Sequence, residues 1–351
     1  MNTIIKKTTE NDAFQVASEI LQKGGLVAFP TETVYGLGGN ALDPSASERI
    51  YKAKGRPSDN PLIVHIADKA DVAQLAAEIP PIAERLMDRF WPGPMTIIFK
   101  KKDIVPKETT GGLDTVAIRM PSHPDAARLI KESGVYIAAP SANASGRPSP
   151  STAAHVAEDL TGRIDMILDG GPVDIGIESS IIDVTGKVPV ILRPGFITKK
   201  DFEEIVGEVT IDPAIMKPDP NLRPKAPGMK YTHYAPKGSL TIIEDELSPQ
   251  LVTGNVISTI NRLITDAAAE GKKAAVLTTA ENRRHYHAEN IILLGETASG
   301  EEIAKHLYSA LRECDEIGAE VIYSESFSRG ELGGAIMNRL LKAAGQKVIF
   351  V

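Results

Sequence analysis

TVAIRMPSHPDAARLIKESGVYIAAPSAN, residues 115–143, carries the pattern on which the fold turns. It opens on TVAIRMP (115–121), a short apolar run of strand type. PDAARLIKES follows, with its apolar positions at helical spacing behind a proline, and VYIAAPS (135–141) closes the stretch as a second strand. Strand, helix and strand in so short a span indicate an α/β domain. Upstream, MTIIFKK (95–101) reads as a strand that reaches TVAIRMP without a helix between them. Downstream, MILDGG, SSIIDV and VPVILRPG read as further strands. Strands that follow one another directly predict a mixed twisted sheet with flanking helices rather than a purely parallel one. Toward the N-terminus, AFQVASEILQK (13–23) reads as a helix ending at Gly24-Gly25, and LVAFP (26–30) as a buried strand. SASERIYKA (45–53) reads as a short helix with a serine cap, PLIVHI (61–66) as a strand, and ADVAQLAAEI (70–79) and IAERLMDRF (82–90) as helices.

Beyond residue 238 the pattern becomes more regular. SLTIIE, a helix around 252–270, KAAVLTT, NIILLG, a helix at 300–317, EVIYSES and a final helix at 333–344 alternate as β-α-β units. That alternation predicts a smaller, parallel, Rossmann-like domain. Between the two lies DPAIMKPDPNLRPKAPGMKYTHYAP (212–236), with six prolines. Proline cannot donate to a ladder and favours extended chain. The reading is therefore a domain at 1–210, a proline-rich linker at 211–237 and a second domain at 238–351. The linker region carries five Lys/Arg against two Asp, while each flanking domain is net −5. A basic linker between acidic domains is either a plain spacer or a strap over an anionic ligand. Tyr231, His233 and Tyr234 favour the strap, because a solvated spacer needs no aromatics.

Composition narrows the function. The 351 residues are 42% hydrophobic and 24% charged, with net charge −7, which disfavours a globally basic nucleic-acid binder. The single cysteine, Cys314, excludes an internal disulfide framework and a cysteine zinc cluster, and its Glu-Cys-Asp setting gives no reason to regard it as a nucleophile. No run approaches the ~18 apolar residues of a membrane span, and MNTIIKKTTE has no signal-peptide core, so a cytoplasmic protein is expected. There is no G-x-x-x-x-G-K-[ST], H-E-x-x-H or G-x-S-x-G. Gly36–Ala41 matches G-x-G-x-x-A, but it stands away from its strand and Asp43-Pro44 interrupts the helix that should follow. His285-Tyr-His287, beside Arg283 and Arg284, reads as a solvated loop.

Chemistry concentrates instead in five loops at strand ends. Pro30–Gly38 offers hydroxyls and flexible backbone; Lys52, Lys54 and Arg56 precede Asn60 and the strand carrying His65; Pro140–Gly146 contributes Ser141 and Asn143. Glu178-Ser179-Ser180 and Arg193-Pro194-Gly195 flank two more strands. Arg119 projects from the apolar TVAIRMP and needs a carboxylate or phosphate, from protein or ligand. Together these loops describe a pocket for a polyanion.

The motifs PTETVYGLG (30–38), KAKGRP (52–57), NPLIVHI (60–66), TVAIRMP, APSAN (139–143) and ESSIIDV (178–184) resemble the YrdC-type domain, with Lys54-x-Arg56 and Ser141-x-Asn143 as its signature. RPG (193–195), HYAP (233–236) and LGGAIMNRLLKAA (332–344) are similar to the long, two-domain threonylcarbamoyl-AMP synthases. The resemblance implies a nucleotidyltransferase that converts L-threonine, bicarbonate and ATP to threonylcarbamoyl-AMP and pyrophosphate. Other proteins, the threonylcarbamoyl transferases, later place the group on N6 of a tRNA adenosine. It also implies Mg²⁺ held mainly through the ATP phosphates, with no dedicated metal ligands, and at most weak or transient RNA binding. Carried over residue by residue, Thr33, His65, Arg119 and Ser179 would hold L-threonine. Lys54, Arg56, Asn60, Thr115, Ser141, Asn143, Ser149, Arg193 and Tyr234 would serve ATP, with Lys54 and Arg56 as the catalytic cations. Two other readings compete: an RNA-binding module on the Lys52/Lys54/Arg56 face, and the carbamoyl-transfer enzyme of hydrogenase maturation, whose cysteine zinc fingers a single cysteine excludes.

Overall fold

A computed structural model describes residues 2–215, 224–227 and 234–351. Their contacts separate into two compact units. The first holds residues 2–145, 149–174, 178–215 and 224–227; the second holds 146–148, 175–177 and 234–351.

The first unit runs β1 (Ile4–Lys7), α1 (Ala13–Gln22), β2 (Val27–Phe29), β3 (Gly36–Asn40), α2 (Pro44–Lys54), β4 (Ile63–His65), α3 (Val72–Leu75), α4 (Pro81–Phe90), β5 (Met95–Lys100) and β6 (Thr115–Arg119). It continues with α5 (Pro124–Ser133), β7 (Ile137–Ala139), α6 (Ala153–Leu160), β8 (Met166–Asp169), β9 (Ser180–Asp183), β10 (Val190–Arg193), α7 (Lys199–Val206) and β11 (Thr210–Ile211). Among the described residues its strands form one mixed sheet in the order β1-β8-β2-β3-β7-β4-β6-β5-β9-β10-β11. The strand–helix–strand stretch supplies β6, α5 and β7, which lie on either side of β4. One face of this sheet is covered by a large apolar core that includes Val64, Ile97, Phe99, Val116, Ile118 and Ile182. The opposite face carries a small apolar floor of Ile63, Ile98, Ala117, Ile181 and Leu192.

Three local departures from the sequence pattern have physical causes. The glycine-rich GLGGN, read as loop, forms β3 between β2 and β7. A methyl group at Gly38 would stand 2.7 Å from Ile137 Cγ2 and 2.9 Å from Phe29 Cε1, so only glycine fits that slot. The helix expected over 70–79 shortens to α3, because Ala76 turns to extended backbone and bridges to Lys101. Finally, α2 starts at Pro44 and not at the serine. Asp43 accepts the Ser45 N–H at 2.9 Å, and proline suits the first helical position because its missing N–H is not needed there.

The second unit alternates β12 (Ser239–Glu244), α8 (Gly254–Ala269), β13 (Ala274–Thr278), β14 (Asn290–Leu293), α9 (Gly300–Glu316), β15 (Val321–Glu325), α10 (Gly333–Ala343) and β16 (Val348–Phe350). Its strand pairings are all parallel, in the order β14-β13-β15-β12-β16. The Rossmann-like alternation is present, with β15 inserted between β12 and β13. In the His285-Tyr-His287 run, the two histidines are exposed while Tyr286 is buried, its hydroxyl donating to Glu325 at 2.7 Å. Cys314 is buried in α9, where burial and the flanking carboxylates push its thiol up to about 12. No helix among the described residues is long and apolar enough to cross a membrane.

Candidate active site

Several of the polar residues singled out in the first unit share the sheet face that bears the small apolar floor. In the parallel pair β4–β6, His65 stands opposite Arg119, and in the antiparallel pair β6–β5, Arg119 stands opposite Thr96. Facing positions share one side of a pleated sheet, so the three side chains form a row. Thr115 begins β6 with the same parity as Arg119, at the half-buried end of the strand. His65, Arg119 and Arg193 end their strands, Thr96 is second in β5 and Ser179 immediately precedes β9, so the row runs along strand ends, as the strand-end reading expected.

The row continues sideways. Thr96 Oγ1 lies 2.8 Å from Ser179 Oγ, just before β9, and Arg193 donates to Ser179 through Nη2 (3.0 Å to Oγ) and Nε (2.9 Å to the carbonyl). A register shift between Ile191 and Arg193 in β10 re-aims the arginine toward Ser179 while Leu192 stays in the apolar floor. Ser149 Oγ donates to Glu178 Oε1 at 2.6 Å, tying the loop before α6 to the loop before β9.

On the other side, the loop after β2 folds over Thr31, whose hydroxyl accepts the N–H groups of Thr33 (3.2 Å) and Val34 (3.3 Å) and lies 2.6 Å from the Val34 carbonyl. That turn buries both Glu32 and Thr33. Glu32, which the sequence reading passed over, supplies the carboxylate that Arg119 needs: Oε1 stands 2.8 Å from Arg119 Nη2. The approach is an ion pair by distance, while its angle falls short of a hydrogen bond. Both Glu32 oxygens and Arg119 Nε and Nη2 lack an aligned partner. Burial pushes the Glu32 carboxyl up, yet the Arg119 guanidinium, with backbone donors, outweighs it and holds the group below the usual carboxylate range.

His65 is buried edge-on to the Phe29 ring, 6.0 Å between centroids. Burial, then the nearby Arg119 charge, push its imidazole down to about 3, so the ring is neutral at physiological pH. Its Nδ1 lies 3.1 Å from the Ile63 carbonyl and 3.3 Å from that of Ile137. Both neighbours are acceptors, so Nδ1 carries the proton and Nε2 is the acceptor nitrogen.

The signature cations sit at the end of α2, which Gly55 terminates in a left-handed C-cap, φ 65°. Lys54 Nζ donates to the carbonyls of Ser141 and Asn143 and, at 3.3 Å, to Asn143 Oδ1, which also accepts from the Ser141 hydroxyl. The ammonium thus shapes the Ser141-x-Asn143 loop. Arg56 donates to the carbonyls of Asn60 (3.4 Å) and Pro61 (3.2 Å), and the buried Asn60 Oδ1 has no partner. Of the linker, Ala226 is fully buried against the floor residues Ile63, Ile98, Ala117, Ile181 and Leu192. Residues 224–227 therefore lie on the face that carries the row.

Two family models match the chain: Sua5/YciO/YrdC, described as telomere recombination, over residues 19–195, and the threonylcarbamoyl-AMP synthase C-terminal domain over residues 197–345. A threonylcarbamoyl-AMP synthase from Pyrococcus abyssi is 47% identical over 99% of this chain and 98% of its own length. The chain belongs to the threonylcarbamoyl-AMP synthase family. The enzyme of that name from Bacillus subtilis is 49% identical over 97% of this chain and 96% of its own. A solved structure of P. abyssi Sua5 complexed with L-threonine superposes with TM-score 0.92 at 46% identity, each chain covered in full.

Most of the second, parallel domain of this chain falls within the stretch that the threonylcarbamoyl-AMP synthase C-terminal model matches. Tyr234 belongs to that unit, with φ 70° and its buried ring 5.0 Å from that of Tyr308 in α9; Tyr231 and His233 lie outside the described residues. Among the described residues no three or more His, Cys, Asp or Glu converge as a metal cage. The two carboxylates of the site are separately engaged, Glu32 facing Arg119 and Glu178 accepting from Ser149, and the other donors are cationic, amide and hydroxylic, a set that does not fit a resident Mg²⁺.

Proposed function

We propose that this chain joins L-threonine, bicarbonate and ATP into threonylcarbamoyl-AMP and pyrophosphate, for N6-threonylcarbamoyladenosine in tRNA. The observation that supports this reading best is the buried row His65–Arg119–Thr96–Ser179–Arg193. A guanidinium with unpartnered N–H groups suits an amino-acid carboxylate, and a run of cations and hydroxyls suits phosphates. Under this reading Arg119 takes the carboxylate of L-threonine, while Thr33, Ser179 and the acceptor nitrogen of His65 surround its polar groups. Lys54, Arg56, Asn60, Thr115, Ser141, Asn143, Ser149 and Arg193 hold ATP, with Tyr234 contributed by the linker.

The threonine nitrogen bonds to the carbon of bicarbonate, water leaves, and a carbamate forms. A carbamate oxygen then attacks the α-phosphorus as the bond to the β-phosphate oxygen breaks. No protein nucleophile takes part, in keeping with the buried, high-pKa Cys314. The protein's contribution is positioning and charge neutralisation. Mg²⁺ enters as the ATP complex, held mainly by the phosphates, and supplies charge neutralisation there. Catalysis is assigned to residues 1–210, with 211–237 as a strap and 238–351 as its accompanying domain. Consumption of ATP and a product destined for tRNA suit a cytoplasmic enzyme whose product passes to a threonylcarbamoyl transferase, with RNA contact weak or transient.

The test is pyrophosphate release from protein, ATP, Mg²⁺, L-threonine and bicarbonate, with threonylcarbamoyl-AMP detected by mass. Release that is independent of threonine or bicarbonate refutes the reading.

A further inference from the structure

We propose that Glu32 receives the α-ammonium group of the substrate amino acid. The inference rests on the reading above, in which Arg119 holds the substrate's carboxylate. Glu32 is buried at 4% exposure; Arg119 and the backbone N–H groups of Glu32 and Ser122 approach its carboxylate, but none meets either oxygen in full hydrogen-bond alignment. An ionised carboxylate can accept about four hydrogen bonds, and a buried one left without them is costly. Arg119 compensates the charge at 2.8 Å but at a poor hydrogen-bond angle, and its own Nε and Nη2 have no well-aligned acceptor. The neighbouring hydroxyls are committed elsewhere, Thr33 to Thr31 and Ser179 to Thr96 and Arg193.

Two groups of opposite sign, side by side, buried and incompletely hydrogen-bonded, are the complement of a zwitterion. Among the three substrates, ATP and bicarbonate bring anionic acceptors to this site. Only the amino acid brings a cationic donor. Its carboxylate satisfies the guanidinium edge, and its ammonium satisfies the oxygens of Glu32. Glu32 also competes for Arg119 while the site is empty, so an anion lacking the ammonium must displace that carboxylate and gains nothing from it. The same pair would reject simple carboxylic acids and favour α-amino acids.

The test compares binding of L-threonine with binding of (R)-3-hydroxybutanoate, which lacks only the amino group, to the full chain by calorimetry. Wild-type protein is expected to prefer threonine by about 10- to 100-fold, the range for a hydrogen bond to a charged group. Glu32→Gln is expected to weaken threonine binding by that factor and leave 3-hydroxybutanoate binding unchanged or tighter. Equal weakening of both compounds overturns the proposal, because Glu32 would then act only by orienting Arg119. If the variant does not fold, the wild-type comparison decides alone, and a preference below about threefold overturns it. Wild-type protein that binds neither compound overturns the assignment of Arg119 as well.

Discussion

Replacing His65 by glutamine should flatten the acid side of the stability curve. The imidazole is fully buried, with its proton on Nδ1 between two carbonyls and the Arg119 charge nearby, and its pKa falls from the ordinary 6.5 to about 3. The folded form therefore resists a proton that the unfolded chain accepts below 6.5. The stability conferred by the neutral ring is complete above that value and is lost progressively as pH falls toward 3. At pH 5 the loss amounts to about 2 kcal/mol, from 1.36 kcal/mol for each pH unit below the unfolded value. Glutamine does not titrate, so His65→Gln should lose about 2 kcal/mol less than wild type between pH 7.5 and pH 5, whatever its stability at neutral pH. The single tryptophan, Trp91, is buried in the first unit with Nε1 donating to the Met95 carbonyl at 2.7 Å, so urea unfolding followed by its fluorescence reports that unit. Parallel pH dependences for the two proteins, within 0.5 kcal/mol by the usual ±10–15% extrapolation error, would refute a neutral buried His65.

Ser179→Ala removes the hydroxyl that links Thr96 to Arg193, and kcat/KM in the pyrophosphate assay should fall by roughly 10- to 100-fold with the fold retained; a change under about threefold would make the link incidental. Gly38→Ala should destabilise the first unit by about 1–3 kcal/mol, read by Trp91 fluorescence, because the added methyl meets Ile137 and Phe29 inside contact distance. Ala226→Glu places a charge on the apolar floor and should detach residues 224–227 from the site face, raising the KM for ATP or threonine at least tenfold; unchanged kinetics would make that segment a spacer.

Much of this arrangement was legible in the chain. Strand and helix spacing located most elements, because alternation and helical periodicity are local consequences of which side is buried. β3 escaped because its glycines carry no β propensity; what makes them a strand is the Phe29 and Ile137 side chains filling the space theirs would take. The helix over 70–79 was over-read because a backbone bridge to Lys101 competes with it. Glu32 went unnoticed inside a motif read for its hydroxyls. The available signal was Arg119, whose position in an apolar strand demanded a carboxylate without saying which.

By itself the sequence determined the two-domain α/β organisation, the family and the residue types of the site, since these rest on local periodicity and on long motifs. Only the tertiary structure decided that His65, Arg119 and Thr96 stand abreast, that Ser179 joins Arg193 to them, and that Glu32 faces the guanidinium. Those relations depend on strand register and order, and a shift of one residue would turn each side chain to the opposite face. The charge that matters is a buried pair between a loop residue and a strand residue far apart in the chain, Glu32 and Arg119, which no local run of residues encodes.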